Sequence, residues 1–222
     1  NLMEVDHIYI CTDYKAPVGD LLKEFGLIEG TSNIHPGQGT ANRRFFFHNF
    51  MLELLWIENL KEVKSDLTKP MRLFERCSKK DKNISPFGIG FRPTTEKDEK
   101  ALFPVWDYHP IYLPDFFKIQ VADSTPLSEP MFFYLSFAGR QDKYPLEKLE
   151  NMKHKLPLKE VTEVKMHINK KENFSEAAEI INKTNSLILI KDNENYLEPT
   201  FDNHILKKEK DFRPNIPLII RW

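Results

Sequence analysis

The chain has 222 residues, 17 of them Phe, and 32 basic against 33 acidic side chains give a formal net charge of −1. This is enough for one large domain or two small ones with a full core, and the balanced charge, without a basic stripe, argues against nucleic acid as a partner. No apolar run approaches the roughly 18 residues of a membrane span, so no membrane is expected either.

The first predicted strand is Val5-Asp6-His7-Ile8-Tyr9-Ile10-Cys11, with His7, Tyr9 and Cys11 on one face and Ile8 and Ile10 on the other. Asp13 offers an N-cap and Pro17 suits a first turn. Val18, Leu21, Leu22 and Phe25 then form an amphipathic stripe, and Gly26 is placed to end that helix. Leu27–Gly30 is extended. A Gly-rich turn, His35–Asn42, leads into Arg43–Phe47, and Phe50–Ile57 follows as a strand that is apolar except for Glu53. Leu60–Asn83 reads as a charged connector with one helix. In the strand from Ser85 to Pro93, Gly88 and Gly90 share the face opposite Phe87, Ile89 and Phe91. They leave room for the close approach of a ligand, or mark a bulge or a tight helix contact.

From Glu96 to Pro130 the pattern is irregular and proline-rich, with a strand at Phe116–Val121 and the segment around Trp106 as a loop, either pinned to the surface by Trp106 or lying over a cavity. A firmer strand is Pro130–Phe137. After a polar link come a strand at Val161–Ile168, a capping-box-like start at Asn173 with Glu176, and strands at Ser186–Ile190, Tyr196–Glu198 and Leu218–Ile220. Strand, helix and strands in that order match the N-terminus and point to an internal repeat. The lysine-rich runs Lys79–Lys82 and Lys207–Lys210 read as solvated loops. Cys11 and Cys77 lack metal-type spacing and read as free thiols in a reducing compartment. With no signal-peptide pattern before Val5, a cytoplasmic location is expected.

Glu53 is the anomaly of its strand. A buried carboxylate needs a partner: Arg43 or Arg44 on the preceding strand, a metal ion, or a ligand. His35 and Asn42 flank the turn as a rim that could hydrogen-bond a polar ligand, with Arg44 meeting an anionic group; a purely structural turn is the alternative. The Gly-rich segment lacks the Lys-Ser/Thr and following helix of a phosphate loop.

The run Val5–Ile10, the helix end Glu24-Phe25-Gly26-Leu27, the His35–Asn42 turn and Leu52-Glu53-Leu54-Leu55 resemble the glyoxalase-like branch of the vicinal oxygen chelate superfamily. That superfamily includes glyoxalases, bleomycin-resistance proteins and extradiol dioxygenases. The resemblance covers roughly the first 60 residues, with element order alone beyond. It implies an α+β fold of paired βαβββ-type modules, whose curled mixed sheets form a cup with helices outside. On this basis residues 1–60 are a first module, 61–84 a helical connector, 85–145 second-module strands and 146–222 a repeated strand-helix-strand module, all one compact unit.

The resemblance places His7 and Glu53 at the ligand positions for a divalent metal (Zn, Mn, Fe or Ni) and at the catalytic centre. Tyr9, His35, Asn42, Arg44, Gly88 and Gly90 would line the ligand site. The second half departs from the metal-binding pattern. Gly88 and Gly90 stand where a His is expected, His167 has the wrong parity beside Val164 and Met166, and Pro199 follows Glu198. The metal site is therefore incomplete. The implied function is a small-molecule site, as a metal-assisted lyase, isomerase or dioxygenase-type enzyme, or as a metal-free binding or sequestering protein. A homodimer is implied by resemblance only, and a scaffold with a filled cup is a third reading.

Overall fold

The computed structural model describes residues 3–78, 80–94 and 100–222. Among them the chain is α+β, with two mixed sheets and four α-helices. Lys79 and Glu96–Glu99, within the charged and irregular stretches read from the sequence, lie outside the described residues.

The larger sheet is built by β1 (Met3–Cys11), β2 (Asn33–His35), β3 (Thr40–Phe46), β4 (Met51–Ile57), β5 (Phe87–Pro93), β6 (Val105–Tyr108), β7 (Ile119–Ala122) and β8 (Met131–Tyr134). Its order is β2-β3-β4-β1-β5-β8-β7-β6. β1 and β5 pair antiparallel at the centre, β4 runs parallel to β1, and β8 runs parallel to β5. The strand order on one side of this junction thus mirrors that on the other. The Trp106 segment is edge strand β6, not a loop, because Val105–Tyr108 pairs with Ile119–Ala122.

The smaller sheet contains β9 (Val161–Asn169), β10 (Ile188–Asp192), β11 (Tyr196–Phe201), β12 (Glu209–Asp211) and β13 (Ile219–Arg221), in the order β10-β9-β11-β13-β12. Here β10 lies parallel beside β9. At the N-terminus the parallel neighbour of β1 is instead the fourth strand, so the similar element order does not become the same topology. β12 puts part of the lysine-rich run on an edge strand, where charge discourages further pairing. Pro199 is tolerated inside β11 because Leu197 N–H, of the same parity, points to Pro217 O. On that side the ladder to β13 is a single pair, Thr200 with Arg221.

Parity divides the larger sheet. Ile8, Ile10, Leu52, Leu54, Phe87, Ile89 and Phe91 face a core shared with Val164, Met166, Ile168 and Leu197 of the smaller sheet. Helix α1 (Gly19–Phe25) adds Leu22 to that core, and Gly26 ends it at φ 122°. Asp13 does not cap α1: Val18 is the N-cap and Asp13 pairs with Lys80. The connector holds two short helices, α2 (Leu60–Val63) and α3 (Leu73–Ser78), rather than one. Pro70, in a 3-10 turn between them, cannot donate a helical bond. Helix α4 (Glu176–Thr184) starts from Ser175, whose Oγ accepts from Ala178 N–H at 3.2 Å; Asn173 and Phe174 precede it.

Cys11 and Cys77 are not free. They form a disulfide that ties the end of β1 to α3. Bonds of this kind persist in oxidising surroundings, which removes the free-thiol argument for a reducing compartment. No helix is long and apolar enough to cross a membrane among the described residues.

A buried ion pair fastens the two sheet systems. Lys170 Nζ lies 2.8 Å from Glu129 Oε2, with Lys170 5% and Glu129 0% exposed at the side chain. Glu129 also accepts from Ser175 N–H and Oγ. Removing one partner strands a buried charge, so Lys170→Met is expected to lower stability by about 3–5 kcal/mol. Replacing both, with Glu129→Leu added, is expected to recover part of that loss. Urea denaturation of both variants checks this, and an additive double mutant would refute the pairing.

Candidate functional site

The β1–β5 register slips between Val5↔Phe91 and His7↔Gly90, leaving Asp6 as the extra residue of a bulge. A bulge re-aims side chains, and here neighbouring Asp6 and His7 both border one cavity. Asp6 accepts from Arg92 Nη1 (3.0 Å) and from Gln141 Nε2 (3.3 Å), and it meets His7 Nδ1 at 2.7 Å. Arg92, 1% exposed, also donates to Glu4, to Gln141 Oε1 and to the Asn49 carbonyl. An ionised Asp6 only accepts, so Nδ1 carries the proton and Nε2 is left for the cavity.

On β4, Glu53 Oε1 stands 3.8 Å from His7 Nε2. Asn42 Nδ2 donates to Glu53 Oε2 at 2.5 Å, and Asn42 Oδ1 accepts from Asn33 N–H. The partners of Glu53 are therefore Asn42 and His7, not Arg43 or Arg44. Arg43 points to the other face of β3, where it binds Glu29 and Asp20. Arg44 borders the cavity but bends toward Thr31, donating to its carbonyl and hydroxyl, and it covers the Phe46 ring.

Gly88 and Gly90 do not contact a ligand space. Their missing side chains leave room for β1: a Cβ on Gly88 would stand 1.9 Å from the Tyr9 ring, and one on Gly90 2.8 Å from His7 Cε1. Registers Tyr9↔Gly88 and His7↔Gly90 make this a cross-strand fit, so the expected ligand role of these glycines is corrected to one of seating Tyr9 and His7. Tyr9 then donates its hydroxyl to Met131 Sδ at 3.4 Å.

The cavity measures about 300 Å³ and is walled by Leu55, Met71, Leu73, Ile119, Met131 and Phe133. Phe45 and Phe47 lie in the core between the sheets, whereas Phe46 lines the cavity, so the space is not filled by phenylalanine. His35 holds Thr40 Oγ1 at 2.8 Å and packs on Tyr112. Gln38, also on the turn, accepts from Tyr108 and Tyr112 hydroxyls. Asp6, Arg92, Gln141, Gln38 and Tyr108 were not singled out by the sequence. The bulge that brings in Asp6 has no local signature.

Charge follows this geometry. Burial disfavours the imidazolium of His7, but the Asp6 hydrogen bond and the Asp6 and Glu53 charges outweigh it, and its pKa rises above 6.5. Burial likewise opposes ionised Asp6, but His7 and Arg92 hold its pKa below 3.8. Burial pushes His35 down, toward the neutral ring. When protonated, His7 offers a proton on Nε2 beside the carboxylate of Glu53, a pairing suited to general acid–base work.

His7 and Glu53 give two metal donors. The facing residues of β5 and β8 are Gly88, Gly90, Met131 and Phe133, which add no hard ligand, and among the described residues no third His, Cys or carboxylate atom converges with the pair to complete a metal site. The described group with three converging ligand atoms is elsewhere: His48, Asp142 and Glu160 lie within 4.8 Å of one another. This group could hold an ion, but Arg140 already donates to both of its carboxylates.

No family model and no curated protein matches the chain. Among solved structures, it is similar to a crystal structure of a hypothetical protein from Staphylococcus aureus, at 12% identity and a TM-score of 0.56. The match covers 99% of this chain and 98% of that one. At this identity the likeness is one of fold.

Gly88→Ala is expected to cost about 1–3 kcal/mol through overpacking against Tyr9, and less in a Tyr9→Ala background. Equal cost in both backgrounds, measured by urea denaturation, would refute the cross-strand fit. For pH, the sign follows from linkage. The His7 contribution is complete below its ordinary pKa of 6.5 and fades as pH rises through the raised folded value; that of Asp6 is present above 3.8 and fades as pH falls through the lowered one. Between about pH 6 and 9, His7→Gln should therefore show a flatter stability profile than the unmodified protein.

Proposed function

We propose that the cavity binds a small molecule with an apolar body and one oxygen-bearing polar end, and that this end meets His7 and Glu53. The observation that carries the reading is the convergence of the His7 Nε2 and Glu53 Oε1 atoms, 3.8 Å apart, at the floor of a mainly apolar cavity. Sites of this kind, with few convergent polar groups in an apolar enclosure, are the usual places of ligand recognition.

The mirrored strand order about the β1/β5 junction supports reading the larger sheet as paired βαβββ-type modules around a cup. With His7 and Glu53 facing one cavity, it also supports the glyoxalase-like resemblance. The two-donor set favours the metal-free form of that resemblance, a binding or sequestering protein. Within it, Nε2–H of His7 donates to a carbonyl or hydroxyl oxygen and Glu53 accepts a neighbouring ligand hydroxyl. Asp6 holds the imidazole in place, and the apolar walls exclude water. The same pair can move a proton next to a carbonyl when the bound molecule has one to give.

A panel of small aromatic hydroxy acids, ketones and diols, screened by thermal shift, tests the reading. At least one member is expected to stabilise the protein, and Glu53→Gln and His7→Ala are each expected to weaken its binding by about tenfold, or ~1.4 kcal/mol. Ligands that bind equally well to both variants would overturn it. Elemental analysis of protein purified without chelator separates the metal-assisted form: stoichiometric metal, lost in His7→Ala, would replace the metal-free reading.

A further inference from the structure

Three side chains of α3 are held against the protein by unlike means. Leu73, 2% exposed, forms part of the wall of the His7–Glu53 cavity, as does Met71 just ahead of the helix. Arg76 donates Nη1 to the carbonyls of Ser85 (3.0 Å) and Glu129 (2.7 Å), while its Nε is sealed without an acceptor. Cys77, one helical turn beyond Leu73, is bonded to Cys11. Burying a guanidinium with a donor unfilled opposes this seat of the helix, and a helix of six residues has little cohesion of its own. The covalent bond offsets that cost.

The two ends of the bond differ. Cys11 belongs to the sheet: its N–H donates to Pro86 O at 2.8 Å, and it pairs with Leu55 of β4. By parity it shares a face of β1 with His7 and Tyr9, so the crosslink draws α3 over the strand face that carries the site. Cys77 sits on the short helix, which follows directly on Arg72 in the left-handed conformation at φ 60°. Both cysteines are half-buried, and both border a groove of about 540 Å³ that shares no lining residue with the cavity. A reductant therefore has a way to the sulfurs that does not pass through the cavity.

We propose that the Cys11–Cys77 bond is a redox latch on the cavity, opened by a dithiol reductant. Thiol–disulfide exchange turns the two thiols of the reductant into a disulfide, and two electrons and two protons pass to Cys11 and Cys77 as free thiols. With the tie gone, α3 loosens from the sheet and takes Leu73 and Met71 with it, so the cavity opens on that side. The oxidised protein holds its occupant and the reduced protein releases it. That regulatory role rests on the reading of the cavity as a ligand site; the loosening of α3 does not.

Methionine oxidation by hydrogen peroxide, followed by peptide mass spectrometry, tests this in a Cys11→Ser/Cys77→Ser variant. Met71 and Met131, both in the cavity wall, are expected to oxidise about tenfold faster than in the disulfide-bonded protein. Met166, buried in the core between the sheets, is expected to keep its rate. No acceleration at Met71 and Met131 overturns the latch, and so does an equal acceleration of all three, which reports general destabilisation. If the variant fails to fold, amide hydrogen exchange of the unmodified protein before and after dithiothreitol decides. Residues 69–78 are then expected to exchange faster once reduced, with β4 keeping its protection. A bond that dithiothreitol cannot reduce in the folded protein, exchange that ignores reduction, or protection lost throughout overturns the proposal. The binding test on His7 and Glu53 stands apart from each of these outcomes, so the two readings fail separately.

Discussion

The contact between Arg92 and Asp6 is the constraint from which the cavity follows. A guanidinium on β5 with almost no exposure can be stable only with its donors filled, and Asp6, Glu4, Gln141 and the Asn49 carbonyl fill them. To reach Arg92, Asp6 must leave the regular alternation of β1, which is what the bulge permits. The same displacement brings its second oxygen to His7 Nδ1. One irregular residue thereby converts an ordinary strand histidine into an oriented one whose proton is held more tightly, with Nε2 toward Glu53.

Packing around that histidine is equally specific. Tyr9 and His7 lie across the backbone of β5, and only the absence of side chains at Gly88 and Gly90 permits it. The cost of two glycines in a strand, in entropy and lost contacts, is offset by the burial of two aromatic rings. Asn42 serves a comparable double purpose, since it bonds Glu53 with its amide nitrogen and the β2 backbone with its oxygen. The edge of the sheet and the floor of the cavity are thus joined through one side chain.

Much of this was legible because a strand has period two. Counting parity along Val5–Cys11 and Met51–Ile57 puts His7 and Glu53 on one side, where the structure has them. Parity along Phe87–Phe91 likewise separates the glycines from the core residues. What parity cannot carry is a change of register, so nothing in the sequence marked Asp6 as a neighbour of the cavity. The glycines were legible as empty space but not as space already taken by Tyr9 and His7. Long-range partners were also hidden. Nothing local distinguishes Arg92, which ends in the core, from Arg43, which ends on a helix. Cys11 and Cys77 lie 66 residues apart, and sequence alone offers no means of bringing them together. Pro199 misled in the opposite direction, because a missing donor matters only on the side of a strand where a ladder runs.

The order of strands in the larger sheet has one more consequence. β4, β1 and β5 occupy its third, fourth and fifth places, so the acid, the imidazole and the arginine that anchors them all stand on interior strands. Sheets open from their margins inward, and protection against exchange is greatest at the middle. Peeling away β2 at one border, or β6 and β7 at the other, would strip walls from the cavity while its polar floor stayed in register. Opening at the borders would therefore widen the cavity without dismantling the polar groups at its centre.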